Sequence, residues 1–444
     1  MEERKEIKLP GSVADVTVGG GGRFFILHLP LVRQAAIFDV SEAKVVKYLS
    51  VDDEDALMAA SLNKLFIALP KKNMLQKYDL HTFEREKTIP LPGSSGAGYM
   101  GTGSDVDGVL VFSPKQQNPG ALRGAIFLSS ISLQELPIRS QETGMMATYP
   151  PQVRFSGGGV VFTSWTPGLS PSGLRTFVIN ASGVQHYYEH TSPGYLLPSH
   201  DGRIIYTPSG LYTYEGKPLS GQSRNGGARM NGHYPIPSTR ENWYLDCQPP
   251  SVMNRGTKPP PGESGVQVTL NLASTSRPIA NLDNIDLSEV SIELGNRSNK
   301  MGFDKRVYFI AEAKTAILIP NNNDRLILYK VDIDELLKKS EIDYFFVMST
   351  PKITAPKGTV YTYPIEVRSK QPGVKYRVEA GPSGLKVNAQ GVVTWQVPPR
   401  IEDESVDVII SITNTAGEEL LHDFRISIPG NRGNSRSNRP AGKK

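Results

Sequence analysis

The residues most suggestive of chemistry are the run His186-Tyr187-Tyr188-Glu189-His190, which has the spacing of an inverted zinc-peptidase motif. That chemistry requires a helix, because histidines four positions apart must share one face to reach a single metal ion. The run follows Val178–Asn180 and a Ser-Gly turn, where the sequence predicts an outer strand. In a strand, positions four apart are separated by about 13 Å. We therefore expect surface histidines and no metal site.

Three acidic clusters contain side-chain oxygens of the kind that bind calcium. None of them has the twelve-residue spacing that makes a calcium loop specific. Asx turns and helix starts account for them more simply. We expect no cofactor, with calcium as the alternative. The clusters are Asp105-x-Asp107, Asp283-x-x-Asp286-x-x-Glu289 and Asp332-x-Asp334-Glu335.

A search for nucleophiles finds no complete motif. The run Gly93–Gly98 resembles G-x-S-x-G but lacks its last glycine. The single cysteine, Cys247, precedes two prolines and is predicted to be a structural thiol. Neither a helix nor a Lys-Ser/Thr pair follows Gly19–Gly22, so this run is a predicted hairpin turn and no phosphate loop. These observations favour a protein that is not an enzyme.

The net charge of +5 comes from the C-terminal residues 430–444, which contain five Arg and Lys and no acidic residue. The other 429 residues carry a formal charge of zero. We expect a disordered basic tail at 431–444 and no specific nucleic-acid partner. Binding of the tail to nucleic acid or to an anionic polymer of the cell envelope is the alternative.

No apolar run approaches the ~18 residues of a membrane span. The N-terminal MEERKEIK has no apolar stretch of the signal-peptide type. The sequence as written predicts a cytoplasmic protein. Because a strand is predicted almost at once, at Glu6–Leu9, an upstream segment and a location in the cell envelope stay open.

The elements that position these residues repeat along the chain. Ala14–Val51 reads as four short apolar runs separated by turns, and its Phe38-Asp39 matches Tyr78-Asp79 forty residues later. A period of about 40 residues with four strands is typical of a propeller blade. The N-terminal strand is predicted to complete the last blade, and Asp332–Lys339 to be a helix inserted between its strands. Seven predicted third strands end near Asp39, Asp79, Ser129, Asn180, Thr213, Asn271 and Lys330.

The texture changes after about Ser349. Alternating strands broken by Gly- and Pro-containing turns fill some 80 residues, as in a small β-sandwich with Trp395 in its core. The sequence thus predicts an all-β protein. Its parts are a seven-bladed β-propeller at 1–349, with six or eight blades as alternatives, an Ig-like sandwich at 350–430 and the tail.

Two resemblances accompany this prediction. With Asp39 and Asp79 at the WD position, residues 1–348 resemble bacterial YVTN/WD40-like propellers, although Gly-His and Trp-Asp dipeptides are missing. Residues 351–429 resemble immunoglobulin- or cadherin-like domains of bacterial surface proteins through Tyr361–Tyr363, Gly381–Leu385 and Gly391–Trp395. The resemblance to planctomycete-type proteins implies a third possibility, the sensory part of a larger kinase-linked or surface protein.

Long insertions follow the second strand of several blades or join one blade to the next, and both positions lie on one propeller face. Because loops on a rigid scaffold are frequent binding sites, we expect a monomeric, non-enzymatic binding or scaffolding protein that engages a protein or polysaccharide there. The alternative is a lyase or hydrolase with His28, His200 or His233 beside Arg and Asp at the central channel. The predicted ligand-binding residues of the face are Arg123, Trp165, Arg175, Arg224, Arg229, Tyr234 and Arg255.

Overall fold

A computed structural model describes most of the chain. The chain divides into two compact units, Met1–Ser340 and Glu341–Lys444. The second unit begins earlier than the predicted boundary at 349/350, because a strand at Phe345–Val347 pairs inside it. Within the described residues, no helix has the length and hydropathy needed to span a membrane. The described residues are 3–93, 97–114, 125–138, 152–180, 183–219, 232–240, 243–248, 266–273, 278–291, 301–340, 343–349, 351, 354–403 and 405–428.

The described part of the first unit is built from short strands that form seven antiparallel sheets. The strands are β1 (Arg4–Lys8), β2 (Asp15–Gly19), β3 (Phe24–Leu29), β4 (Gln34–Asp39), β5 (Lys44–Ser50), β6 (Leu57–Ala60), β7 (Lys64–Leu69), β8 (Met74–Asp79), β9 (Arg85–Pro90), β10 (Ala97–Gly101), β11 (Val109–Pro114), β12 (Ile126–Ser129), β13 (Gln152–Phe155), β14 (Val161–Trp165), β15 (Leu174–Asn180), β16 (Gly183–Glu189), β17 (Leu197–Pro198), β18 (Ile204–Thr207), β19 (Gly210–Thr213), β20 (Tyr234–Pro237), β21 (Trp243–Gln248), β22 (Gln267–Leu272), β23 (Ala280–Asn281), β24 (Val307–Ile310), β25 (Thr315–Leu318) and β26 (Arg325–Lys330). Short 3₁₀ turns lie at Gly20–Gly22, Pro30–Val32, Pro70–Lys72 and Phe303–Lys305.

The sheets follow one another along the chain. We number them sheet 1 (β2–β5), sheet 2 (β6–β9), sheet 3 (β10–β12), sheet 4 (β13–β16), sheet 5 (β17–β19), sheet 6 (β20–β23) and sheet 7 (β24–β26 with β1). The third strands end where the sequence predicts, apart from β22, which runs one residue past Asn271. The prediction of an all-β protein is confirmed.

The ends of the first two third strands show why the aromatic-Asp pattern marks a turn. The carboxylate of Asp39 accepts hydrogen bonds from the backbone N–H of Ser41 (2.9 Å) and from Nε of Arg23 (2.8 Å). Asp79 likewise accepts from the backbone N–H of His81 at 2.8 Å and from Nζ of Lys64 at 2.7 Å. Each aspartate therefore closes the turn to the fourth strand and ties it to the second, as the repeat predicts.

The sheets pack face to face in a ring. Apolar clusters join sheet 1 to sheet 2, sheet 2 to sheet 3, and sheet 3 to sheet 4. Contacts between the inner strands continue from sheet 4 through sheets 5 and 6 to sheet 7. A further cluster, which includes Phe25 and Leu27 of sheet 1 and Ile317 of sheet 7, closes the circle. Sheets in a ring with their first strands innermost are the arrangement of a β-propeller.

The N-terminal strand completes the last sheet, as predicted. β1 pairs with β26 from Arg4 opposite Tyr329 to Lys8 opposite Arg325. The predicted helix is present as α1 (Ile333–Lys339), and Asp332 caps it by accepting a bond from the backbone N–H of Glu335. Its predicted place between strands of the last sheet is wrong. Because β1 supplies the fourth strand, α1 follows the complete sheet and leads to the second unit.

The first four residues of the HYYEH segment lie on β16, the outer strand of sheet 4, and His190 directly follows it, so the prediction of a strand is confirmed. One face of the sheet carries a row of stacked rings, one from each strand, which we call the ring row: Phe155, Phe162, Phe177 and His186. Successive ring centroids are 5.0, 4.8 and 4.8 Å apart. The row is possible because these residues are direct cross-strand neighbours.

The second unit contains short antiparallel sheets around its own core. Its sheets are β27–β29, β28–β32–β31 and β30–β33–β34. Trp395 lies in the core and is 1% exposed, as predicted. The strands are β27 (Phe345–Val347), β28 (Val360–Pro364), β29 (Val367–Ser369), β30 (Lys375–Ala380), β31 (Lys386–Val387), β32 (Val392–Gln396), β33 (Ser405–Thr413) and β34 (Glu419–Ser427).

Candidate binding surfaces at the two ends of the ring

The ring has two chemically different ends. At the hairpin end, the first strand of each sheet connects to the second. At the loop end, the second strand connects to the third, and each sheet connects to the next. Backbone hydrogen bonds link the hairpin-end loops of different sheets, including Gly20 N–H to Ser61 O (2.9 Å), Gly21 N–H to Ser104 O (2.8 Å) and Gly158 N–H to His200 O (2.9 Å). These bonds show that the loops converge.

The three predicted ligand-binding residues that the structure describes lie at the loop end. Trp165 is the last residue of β14, Arg175 is the second residue of β15, and Tyr234 begins β20. The insertions predicted after second strands do connect β11 to β12, β14 to β15 and β21 to β22. Four further predicted residues lie outside the described part of the chain: Arg123, Arg224, Arg229 and Arg255.

The three described residues have different surroundings. Trp165 is only 2% exposed, and the guanidinium carbon of Arg154 lies 5.1 Å from the centroid of its ring. Tyr234 packs edge-on against Phe303, with ring centroids 5.7 Å apart. Arg175 instead stacks on Tyr188 of the outer strand β16, with its guanidinium carbon 5.2 Å from the ring centroid. Trp165 is thus buried beside Arg154, whereas Arg175 lies against the outer strand of its sheet.

Two ion pairs at the loop end join different sheets, one of them across the ring and the other between neighbours. Arg154 of sheet 4 binds Asp304, which lies just before the first strand of sheet 7. Lys305, the next residue, binds Asp15 at the start of sheet 1. Burial acts to raise the pKa of Asp15, but the charge and hydrogen bond of Lys305 outweigh it and the pKa is lowered. The loop end therefore has a polar centre in which these charges are compensated.

Two histidines at the loop end differ in protonation behaviour. His28 lies opposite Asp15 in the β2–β3 pair, is 3% exposed, and its Nε2 has no hydrogen-bond partner among the described residues. Burial lowers the pKa of His28, although Asp15 and Asp53 act against this. His233 lies 2.5 Å from Oδ2 of Asp246 through Nδ1, and this hydrogen bond raises the pKa of His233.

The hairpin end brings together charged side chains from four sheets, which we call the axial cluster: Asp105, His200, Arg240 and Glu312. Nε2 of His200 lies 2.8 Å from Oδ2 of Asp105, and Arg240 binds the other carboxylate oxygen. Nε of Arg240 also lies 3.6 Å from Oε1 of Glu312. Burial raises the pKa of Asp105, but the bonds from His200 and the charge of Arg240 reverse the shift and lower it. The pKa of Glu312 is raised, chiefly by burial.

Glycines allow the axial cluster to close. Gly21 has φ +64°, and a Cβ there would lie 2.4 Å from a terminal nitrogen of Arg240 and 2.7 Å from Oδ1 of Asp105. A Cβ on Gly157 would lie 2.4 Å from Cδ2 of His200. The predicted turn at Gly19–Gly22 is therefore confirmed, and it has the added role of leaving room for charged groups from other sheets.

The acidic clusters considered for calcium serve turns, caps and ion pairs. Asp107 accepts bonds from Oγ of Ser61 (2.5 Å) and Nδ2 of Asn63 (2.5 Å). Asp286 accepts from Ser288, and Asp332 caps α1. In the part of the chain that the structure describes, no group of three or more His, Cys, Asp or Glu side chains is arranged to hold a metal ion.

The polar centre of the loop end and the axial cluster each join residues that lie far apart along the chain, and the sequence alone does not predict these contacts. Arg154 and Asp304 are separated by 150 residues, and Asp105 and Arg240 by 135. The sequence suggests His200 at the central channel beside Arg and Asp, but it does not indicate which Arg and Asp these are. The glycine-rich hairpins at Gly19–Gly22 and Gly157–Gly159 were the available signal, since close approach is a common reason for glycine in a turn.

Comparisons with known proteins give structural likeness and no sequence family. No family model and no curated protein matches the chain. Among solved structures it is similar to hydrazine synthase of Kuenenia stuttgartiensis, with a TM-score of 0.36 and 12% identity over 75% of this chain and 81% of that one. It is also similar to the β-propeller domain of Myceliophteria thermophila Cps50 (Swd1), with a TM-score of 0.44 and 9% identity over 74% of this chain and 99% of that one.

Proposed function

We propose that this chain is a non-enzymatic binding or scaffolding protein that engages a protein or polymer partner through the loop end of a seven-bladed propeller. In this proposal the seven sheets are the blades, and the second unit is an Ig-like sandwich that acts as a spacer or second contact. The observation that carries the proposal is the placement of long connections and of aromatic and basic side chains at this one end.

The physical argument is that a rigid ring supports variable loops at no cost to its core. The connections 115–125, 166–173 and 249–266 all leave and re-enter sheets at the loop end. At the same end, Arg154 is held between Asp304 and the face of Trp165. Because its charge is paired and its ring partner is buried, Arg154 is fixed in place and gives the loop end a rigid base.

The test compares two loop-shortened variants with the wild type in affinity capture. Replacing 221–232 or 249–262 with short turns should leave folding intact and lower partner retention about tenfold, the equivalent of ~1.4 kcal/mol. The controls are Glu42→Ala and His81→Ala, two exposed residues in turns of the hairpin end. Equal retention in shortened and wild-type proteins, or loss from the controls alone, contradicts the proposal.

A second candidate function has one specific observation in its favour. The axial cluster places a histidine, an arginine and two carboxyl groups together at the hairpin end, the composition expected of a propeller lyase or hydrolase. Glu312, with its raised pKa, is the member suited to hold a proton, and Arg240 is the member suited to an anionic group.

This candidate is tested with a panel of hydrolase and lyase substrates. Activity that disappears in His200→Asn but persists in His81→Asn, an exposed histidine of sheet 2, supports catalysis at the axial cluster. Activity that is equal in both variants, or no activity above buffer across the panel, rejects it. The loop-shortened variants distinguish the two functions, because catalysis at the hairpin end should survive them.

A further inference from the structure

Within the described residues, five sheets of the first unit have four strands: sheets 1, 2, 4, 6 and 7. Their outer strands differ in how well their free edges are protected against pairing. An unpaired edge exposes backbone N–H and C=O groups, and proteins protect it with charged residues, Pro, bulges or short strands. β1 reads RKEIK, β5 carries Lys44 and Lys47, and β9 begins Arg-Glu-Lys and ends at Pro90. β23 is only two residues long. Four of the five outer strands are thus protected.

The outer strand of sheet 4, β16, lacks these protections. It has seven residues, GVQHYYE, and among Asp, Glu, Lys and Arg it carries only Glu189, at its end. It pairs with β15 at seven consecutive positions without a register shift. By contrast, β5 and β9 each contain a shift in their pairing. Within the described residues, no other strand pairs with the free edge of β16.

The side chains of β16 also extend the stacking of the sheet toward this edge. His186 ends the ring row at 4.8 Å from Phe177. On the same face Tyr188 lies between His186 and the guanidinium of Arg175. On the opposite face Tyr187 contacts Tyr214, with ring centroids 5.7 Å apart. An added strand would therefore find aromatic neighbours on both faces, and aromatic cross-strand pairs are among the stabilising ones.

We propose that β16 is an association edge that pairs antiparallel with β16 of a second copy of this chain. The occupant follows from the sequence of the strand. With a two-fold axis at His186, Val184 lies opposite Tyr188 of the second copy, Gln185 opposite Tyr187, and Gly183 opposite Glu189. No like charges meet in this register, and His186 stacks on its own symmetry mate, so two ring rows become one.

The size of the contact sets its strength. One seven-residue strand pair with flanking rings buries less than the ~1,200 Å² of a standard stable interface. Association is therefore weak and depends on concentration, and the chain is a monomer when dilute. The isologous geometry closes after two copies, so growth into fibres is not expected.

The first experiment measures mass by light scattering and sedimentation as the concentration of the full chain increases. The wild type should pass from its 48.6 kDa monomer mass toward twice that value. The double variant Gln185→Lys/Tyr187→Lys places lysines opposite lysines and should stay monomeric. The control Tyr48→Lys makes the same change on β5, whose edge already carries lysines, and should dimerise like the wild type.

The second experiment fixes the register by disulfide trapping. In the variant Gln185→Cys/Tyr187→Cys, each new thiol faces its partner across the interface, so mild oxidation should give a covalent dimer. Tyr48→Cys is the control and should give no covalent dimer, because Tyr48 lies on β5, away from the interface. A wild type that is monomeric at every concentration overturns the proposal. So does a dimer that forms in the double-lysine variant, or one that the cysteine pair fails to trap.

Discussion

The two ends of the ring are both crossed by ion pairs, yet they are built differently. At the hairpin end, Asp105 receives side chains from two other sheets, and the surrounding loops are short, rich in glycine and joined by backbone hydrogen bonds. At the loop end, the Arg154–Asp304 and Lys305–Asp15 pairs each join one cation to one carboxylate, and the long connections start from strands that end on this side. The difference indicates that the hairpin end fixes the geometry of the ring, while the loop end is free to vary.

The difference between the two ends predicts that replacing an aspartate at each end lowers the free energy of unfolding by different amounts. Asp105→Ala leaves Arg240 and His200 without their shared acceptor, and we expect a loss of about 3 kcal/mol in the free energy of unfolding. Asp304→Ala removes the partner of Arg154 alone, which keeps the face of Trp165, so about 1–2 kcal/mol is expected.

Denaturant unfolding in a Trp395→Phe background measures both values, because the two remaining tryptophans, Trp165 and Trp243, report on the first unit. Equal losses for the two aspartate variants, or a larger loss for Asp304→Ala, would show that the hairpin end is not the more constrained one.

A smaller effect separates backbone strain from crowding at the hairpin end. Gly21→Ala meets both a positive φ and the atoms of Arg240 and Asp105, and should cost about 2–3 kcal/mol. Gly232, near the loop end, has φ +75°, and no atom of the described residues lies within 4 Å of a built Cβ. Gly232→Ala should therefore cost only the strain, about 1 kcal/mol. The same unfolding measurement applies, and similar costs for the two alanines would remove crowding as a cause.

The smallest effect concerns pH and the two loop-end histidines. The folded-state pKa of His28 is lowered, chiefly by burial and against the pull of Asp15, Asp53 and Asp55. Below about pH 6.5 the unfolded chain binds a proton that folded His28 resists, so stability falls as the pH falls. His28→Gln should make the decrease from about pH 7 to about pH 5 shallower.

His233 has the opposite sign. The hydrogen bond to Asp246 raises its folded-state pKa, so its contribution is fully present below about pH 6.5 and is lost as the pH rises through the raised value. His233→Gln should therefore make the acid decrease steeper. Unfolding curves at several pH values measure both variants. Parallel pH profiles for wild type and His28→Gln would show that the proton of His28 is not linked to folding.

Local features of the fold could be predicted from the sequence, because their causes lie within a few residues. Asp39 and Asp79 close turns through donors two residues further along. The strand at β16 followed from its place after a third strand. The aromatic residues of the ring row and the charged residues of β5 and β9 are also visible in the sequence. Whether they stack or protect an edge depends on the register of neighbouring strands.

The axial cluster and the polar centre of the loop end could not be predicted in the same way. Asp105 stands in a turn that looks like many Asp-containing turns, and its partners His200 and Arg240 arrive from loops 95 and 135 residues away. Only the closed ring brings them together. At the loop end, the sequence indicated which connections are long and which residues lie at strand ends, but the pairing of Arg154 with Asp304 likewise depends on the ring.

The pairing of β1 with β26 has a consequence for the order in which the molecule is made. Residues 4 and 329 face each other, so the seventh sheet gains its outer strand only after most of the chain has left the ribosome. Until then β1 has no partner strand, and closure brings together segments separated by more than 300 residues, which slows the final step. During synthesis the sheets therefore form an open arc first. The ring closes last, when Arg4–Lys8 pairs with β26.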